Sequence, residues 1–325
     1  MLNVALIGLG NIALLFDTNK ANKTTALSHV KAIFLHEDFN LKYAVDINLN
    51  NEKILKDFFP NCQIHTSHNE IIDKNDIDVL VIATPTKYHF SVLEDFKNNK
   101  NIKLFFIEKP LFYSSKEYTN ISKDIKDFKD KIVVNYLRRF SPAFMDLKQR
   151  LSNEDFIEKI VINYCKGLKN NGSHLIDLLN CLFDDLEINS SSILSSSIGF
   201  DESDLCYDLY ILISYKNQTI PIFFISHNHE KYNLINMDIY TNSQQIRFLN
   251  SEGTISYYKI VNDINFPTYK VFDNRAEKVE INNKYLMYYV YEEISKILNN
   301  SEKNISSFED ELKNKNFLEY ILKDL

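Results

Sequence analysis

Short apolar runs, each closed by a polar or turn-forming residue, recur over roughly the first 135 positions. Val4–Gly8, Leu41–Asp46, Ile77–Thr84, Ile102–Glu108 and Ile132–Tyr136 read as buried parallel strands, which are apolar throughout rather than alternating. Amphipathic stretches separate them at Asn51–Phe59, Tyr88–Asn98 and Ser115–Phe128. Ser114 or Ser115 is placed to cap the last of these. Strands and helices that alternate in this way predict a parallel sheet with right-handed crossovers.

The pattern changes after Pro142. A helix over Ala143–Leu151, a strand over Ile157–Tyr164 and a helix over Gly172–Leu182 lead into a strand-rich section. Its strands are expected at Ser192–Ile198, Tyr207–Tyr215, Ile220–His227, Asn236–Thr241, Gln244–Leu249 and Gly253–Lys259, with polar turns such as Lys216-Asn217-Gln218 marking hairpins. Helices at Tyr285–Asn299 and Phe308–Leu322 finish the chain. The expectation is an α/β domain over residues 1–137, then an α+β domain over 138–325 with a large, mostly antiparallel open sheet. The terminal helix is expected to pack back on the first domain.

A length of 325 residues agrees with two domains, and 45% hydrophobic residues allow substantial cores. A net charge of −7 argues against a nucleic-acid partner, which needs a basic patch. Cys62, Cys165, Cys181 and Cys206 lie too far apart in sequence for zinc-ligand or redox spacing, so reduced thiols in a cytoplasmic protein and no metal are expected. The chain enters a strand directly from Met1, and no run reaches transmembrane length, so neither leader nor membrane is expected.

Two of only six glycines stand in Gly8-Leu9-Gly10-Asn11-Ile12-Ala13. The motif follows the first strand and opens a helix, the context a dinucleotide fingerprint requires. Gly8 permits the tight turn, Gly10 admits a pyrophosphate, and Ala13 allows close helix–strand packing. Asp46 ends the next strand, where a carboxylate accepts from ribose hydroxyls and repels a 2′-phosphate, favouring NAD over NADP. It lies 36 residues after Gly10, beyond the usual spacing of about 20. Leu14–Ser28 therefore reads as an insertion. The competing reading of Asp46 is a plain turn residue. Ala83-Thr84-Pro85-Thr86 closes another strand, with small and hydroxylated residues suited to a cofactor path. Glu108-Lys109-Pro110 closes the strand after it. A lysine there is costly unless it faces a cleft, and Pro110 confines it to extended geometry.

These pieces, with His89, Arg138-Arg139-Phe140-Ser141-Pro142 and Gly172-Ser173-His174-Leu175-Ile176-Asp177, resemble the Gfo/Idh/MocA family of oxidoreductases. The markers run to about residue 182. The resemblance implies a Rossmann domain followed by an α+β domain whose open sheet packs against another subunit, giving a homo-oligomer (dimer or tetramer). It implies hydride transfer between NAD(P) and a secondary alcohol or ketone of a sugar, including phosphate- or nucleotide-linked sugars of a surface-glycan pathway. Catalysis would rest on Lys109 and His174. The substrate would meet Asn170, Asp177, Tyr136 and Arg139. The cofactor would meet Gly8, Gly10, Asn11, Ile12, Asp46, Thr84, Pro85, His89, Glu108 and Lys109.

A lysine beside the reacting oxygen stabilises alkoxide when charged and takes the proton when neutral. Histidine exchanges protons near neutrality. His174 and Asp177, three apart on a helix, share a face. Many active relatives carry aspartate where this chain has Asn170, and an amide accepts no proton at neutral pH. The alternative reading is a non-catalytic dinucleotide-binding regulator or sensor. His227 and His229 alternate on one face without further ligands at spacing, and His65 and His68 read as turn residues.

Overall fold

The N-terminal apolar runs become strands of one parallel sheet. The structure, a computed structural model, describes residues 1–125, 128–199, 204–300 and 302–323. In chain order the first elements are β1 (Leu2–Ile7), α1 (His29–Leu35), β2 (Phe39–Val45), α2 (Glu52–Phe58), β3 (Gln63–His65), β4 (Val79–Ile82), α3 (His89–Phe96), β5 (Leu104–Ile107), α4 (Ser115–Asp124) and β6 (Ile132–Val134). The strand order is β3-β2-β1-β4-β5-β6, all parallel, the arrangement of a Rossmann sheet. Every residue of β4, β5 and β6 is buried, as expected for a sheet covered on both faces.

Two features depart from the sequence expectation. The edge strand β3 is only three residues long and carries one apolar side chain, so backbone pairing to β2 defines it rather than any hydrophobic pattern. The first crossover helix is split. A single π-helical turn, Asn11–Leu15, follows the glycines, and α1 starts only at His29. Ser28 caps α1 by accepting the Lys31 N–H at 3.2 Å. Between them Asn19 folds the chain on itself, its side chain accepting the Ala21 N–H at 3.1 Å. Lys31 is fully buried, with its ammonium donating to the Asn19 carbonyl. Burial lowers its pKa, while the charge of Asp17 opposes that fall.

The later elements are α5 (Pro142–Ser152), β7 (Ile157–Tyr164), α6 (Ser173–Leu182), β8 (Glu187–Ser197), β9 (Cys206–Tyr215), β10 (Gln218–Ser226), β11 (Ile235–Thr241), β12 (Gln244–Leu249), β13 (Thr254–Asn262), β14 (Lys270–Phe272), β15 (Glu277–Glu280), α7 (Leu286–Asn300) and α8 (Phe308–Leu322). The strands β7 to β15 form a nine-stranded sheet ordered β14-β13-β12-β11-β7-β10-β9-β8, with β15 beside β13. Among the described residues of this sheet, only β7 and β10 pair in parallel. Along β9, Leu209, Ile211 and Ile213 are buried, while Tyr210, Leu212 and Ser214 face the half-exposed side. Lys216 and Asn217 make the two-residue turn to β10, both with positive φ, as a tight hairpin matching strand twist requires. The short strands β14 and β15 are mostly exposed and charged, so no apolar alternation announces them.

By contacts, Met1–Phe140 and Lys284–Glu311 make one unit, and Ser141–Asn283 and Leu312–Leu325 make the other. In the first, Val290, Tyr291 and Ile294 of α7 join Val4, Leu6 and Phe106 in one core. Among the described residues no helix is long and apolar enough to cross a membrane. The four cysteines are buried, and none is in a disulfide. Leu6 has no exposed surface at the centre of the first sheet. Leu6→Ala is expected to cost about 2–5 kcal/mol, read as a lowered midpoint in urea unfolding.

Candidate functional site

The register of the parallel sheet brings the motif residues to one level. His65, Val45, Ile7, Ile82, Ile107 and Val134 are successive partners across it. The residues that follow them, Thr66, Asp46, Gly8, Ala83, Glu108 and Asn135, therefore leave the carboxyl ends of all six strands side by side. A cavity of about 520 Å³ opens over the first four of these ends. Its walls include Gly8, Gly10, Asp46, Ile47, Ser67 and Thr84. It spans the point between β1 and β4 where the strand order reverses, the usual crevice for ligands in such sheets.

Gly8 has φ +98, and a Cβ there would lie 2.7 Å from the Ala83 carbonyl oxygen. Only glycine fits this turn without strain. A Cβ at Gly10 would meet open space, so its bareness keeps the loop flat beside the cavity rather than relieving a clash inside the protein. Asp46 ties the loop to β2. Its Oδ2 accepts the Leu9 N–H at 2.6 Å, and its Oδ1 accepts the Asn48 N–H at 2.8 Å. Each oxygen keeps a further lone pair for a hydroxyl in the cavity. Asn51 adds a bond from its Nδ2 to the Leu9 carbonyl at 2.9 Å.

The fit of a dinucleotide to these walls rests on Thr84. Thr84 lines the cavity, and its Oγ1 is buried behind the wall with no hydrogen-bond partner among the described residues. Buried hydroxyls are nearly always partnered, so this one suits a ligand's polar group. Gly8, Gly10, Asp46, Thr84 and Pro85 all border this space. Asn11 and Ile12 begin the π turn beside Gly10, with Asn11 exposed. His89 is buried behind the strand end, its Nε2 2.8 Å from the Thr84 carbonyl and its Nδ1 3.1 Å from the carbonyls of Pro110 and Leu111.

Lys109 stands where β5 gives way to a turn, and the Lys109–Pro110 bond is cis. Glu108 before it is turned inward. Its Oε1 accepts from His29 Nε2 at 2.9 Å and from Asn135 Nδ2 at 2.6 Å. His29 Nδ1 meets the Tyr291 hydroxyl at 2.9 Å. Burial pushes the Glu108 carboxyl up, but the bonds from His29 and Asn135 and the charge of Lys109 outweigh it and hold it below its ordinary value of 4.5. The same burial, with the Glu108 charge, raises the Tyr291 hydroxyl well above its ordinary value.

Tyr136 and Arg139, expected at a cleft, make bonds inside the first unit. The Tyr136 hydroxyl donates to Glu311 at 2.8 Å. Arg139 Nη1 donates to the Ile305 carbonyl at 3.0 Å and pairs with Asp310 at 3.3 Å. The backbone after β6 turns these side chains toward Ile305 and the first turn of α8.

In the second unit His174 is half-buried in the first turn of α6, and Asn170 is exposed in the π turn before it. Asp204 accepts the N–H groups of Lys169 and Asn170, each at 2.8 Å, and so fixes the start of that turn. Gly167 bends there with φ +93, where a Cβ would lie 2.1 Å from an Asp204 oxygen. Asp177 is buried, its Oδ1 accepting from Asn314 Nδ2 at 2.8 Å. Asn314 in turn accepts from Asn180 at 2.8 Å. His227, just past β10, bonds Asn163 at 2.8 Å and Tyr232 at 3.1 Å. His65 ends β3 and pairs with Glu70, and His68 pairs with Asp95. Among the described residues no group of three or more His, Cys, Asp or Glu is placed to hold a metal.

Residues 2–136 match the family described as "Oxidoreductase family, NAD-binding Rossmann fold", GFO_IDH_MocA. This Gfo/Idh/MocA match covers the first domain. A scyllo-inositol 2-dehydrogenase (NAD(+)) of Bacillus subtilis is 35% identical over 98 residues, 30% of this chain and 27% of that protein. The chain thus covers about a quarter of the length of the curated relatives it matches. A dehydrogenase from Clostridium difficile superposes with TM-score 0.73 at 16% identity, covering 100% of this chain and 99% of that one. A super-repressor mutant of Gal80p from Saccharomyces cerevisiae superposes with TM-score 0.74 at 17% identity, covering 99% and 95%. These structures share the fold of both units.

Within this Gfo/Idh/MocA domain, several cavity and turn residues escaped the sequence reading. Ile47, Thr66, Ser67 and Tyr88 line the cavity. The first three follow strand ends and were findable from the register once β3 was known. His29, Asn135, Tyr291 and Glu311 carry no motif, and only the tertiary structure assembles them. Because folding holds Glu108 below 4.5, its stabilisation is complete above that pH and is lost as pH falls through the lower folded value. Glu108→Gln should therefore be less stable than wild type by about 2 kcal/mol at pH 7. In acid-unfolding measurements that gap should close below pH 4.5.

Proposed function

We propose that the chain is an NAD-dependent oxidoreductase acting between a secondary alcohol and a ketone of a sugar or cyclitol, phosphate- and nucleotide-linked sugars included. The cavity over the strand ends, walled by Gly8, Gly10, Asp46 and Thr84, carries the reading. The identity to an inositol dehydrogenase over the nucleotide-binding portion supports the polyol class. Bound nicotinamide would supply or accept the hydride. Gly8 and Gly10 admit the pyrophosphate, and the Asp46 carboxylate receives ribose hydroxyls and disfavours a 2′-phosphate.

Lys109 has the proton step. Its Nζ takes the hydroxyl proton in oxidation and returns it in reduction, and as ammonium it stabilises the oxygen's developing charge. His174 is the second proton-exchanging group we assign, and Asn170 and Asp177 are assigned to substrate binding; Tyr136 and Arg139, bonded within the first unit, are left to hold its fold. Asn170 can hydrogen-bond a substrate hydroxyl without accepting its proton. That residue favours the second reading, a dinucleotide-binding regulator without turnover. We assign the protein to the cytoplasm, where four buried thiols stay reduced, and to a homo-oligomer joined through the half-exposed sheet face.

Calorimetry should show NADH binding tighter than NADPH, with Asp46→Ser narrowing or reversing the preference. Equal affinities in wild type would remove Asp46 from cofactor selection. Against a panel of polyols, sugar phosphates and nucleotide sugars, Lys109→Ala should lower kcat by about 10²-fold or more while NADH affinity stays within about twofold. Binding of NADH with no turnover of any alcohol would favour the regulator.

A further inference from the structure

The turn that presents Lys109 is held from several sides, chiefly by groups outside every motif. Upstream, the Glu108 carboxylate is anchored by His29 of α1 and Asn135 after β6. Downstream, the Pro110 and Leu111 carbonyls face His89 of α3. The Leu111 N–H donates to Glu311 in the first turn of α8 at 3.2 Å. Glu311 is itself buried and fixed by the Tyr118 hydroxyl at 2.6 Å and the Tyr136 hydroxyl at 2.8 Å. A buried carboxylate with three donors is a rigid point, since breaking one bond strands a charge away from water.

We propose that His29 and Glu311 are positioning residues for Lys109, closing a clamp on both sides of the Lys109–Pro110 turn. The inference rests on the catalytic reading of Lys109. Successive side chains of extended backbone point to opposite sides, so an anchor that holds Glu108 inward turns Lys109 outward. Proline keeps the residue before it extended. Glu311 then stops the chain after Pro110 from swinging. Neither residue meets substrate or cofactor in this assignment. Their effect is on the direction of one amine, where a displacement of about 1 Å can cost about 10²-fold in rate.

The test uses the full chain as His29→Leu, His29→Gln and Glu311→Gln. A glutamine amide reaches the position of His29 Nε2 and keeps the donor to Glu108, whereas leucine removes it. In the free protein, hydrogen exchange followed by mass spectrometry should show residues 104–113 of His29→Leu exchanging at least tenfold faster, with residues 2–8 unchanged. Against the best alcohol found for wild type, His29→Leu should lose at least tenfold in kcat, with KM and NADH affinity within twofold. His29→Gln should recover most of both effects. Glu311→Gln should loosen the same segment and lower kcat in the same selective way. Wild-type exchange in His29→Leu and Glu311→Gln would overturn the clamp. Faster exchange with unchanged kcat, or His29→Gln no better than His29→Leu, would overturn the positioning role. If His29→Leu does not fold, the other two variants decide. Absence of any turnover by wild type would sink the catalytic reading instead, and exchange would still report on the clamp.

Discussion

A shared register in one parallel sheet is the constraint on which the first unit depends. Parallel strands leave their carboxyl ends on the same side, but they need not leave them level. Here a row of paired residues runs from His65 to Val134, and each strand releases its next residue at that height. A glycine, an acid, an alanine, a second acid and an amide thereby become neighbours although more than a hundred residues separate the first from the last. Slipping β1 by one residue would move Gly8 out of contact with Ala83 and turn its neighbours to the wrong face. The site is a property of the register before it is a property of any side chain.

The row divides chemically. Toward β2 and β3 the strand ends are open and line a cavity, with small residues and hydroxyls at the walls. Toward β5 and β6 they are closed by buried polar bonds among Glu108, His29 and Asn135. Buried polar networks are tolerated only when their members are well satisfied. Glu108 meets that condition with two donors on one oxygen and a lysine charge close by, which hold its carboxyl below the ordinary value although burial pushes it up. Thr84 Oγ1, on the open side, does not meet it. One half of the row is built to receive and the other to hold still.

Much of this was legible in the sequence, because the elements that define it are periodic. The apolar runs located five of the six parallel strands, and α8 fell at its expected bounds. The glycine turn was legible because steric demands at Gly8 leave a single residue type. The structure also departed from that reading in informative places. The strand β3 escaped because main-chain pairing, not burial of side chains, makes it. The crossover helix broke because Asn19 and Ser28 offered the backbone local bonds that compete with a continuous helix. Tyr136 and Arg139 turned inward toward groups some 170 residues away, and no local pattern could announce that. The partners of Glu108 were invisible for the same reason.

The span of those bonds bears on how the protein is made. His29 and Tyr291 are 262 residues apart, and Leu111 and Glu311 are 200 apart. A chain leaving the ribosome at about 5–20 residues per second would have its complete β1–β6 sequence well before α7 and the start of α8 exist. During that interval the sheet can form, but the His29 ring lacks its hydroxyl partner and the turn after Pro110 lacks its carboxylate. The first unit is thus completed last by its most distant residues, and the turn after Pro110 is tied down only once residue 311 has been made.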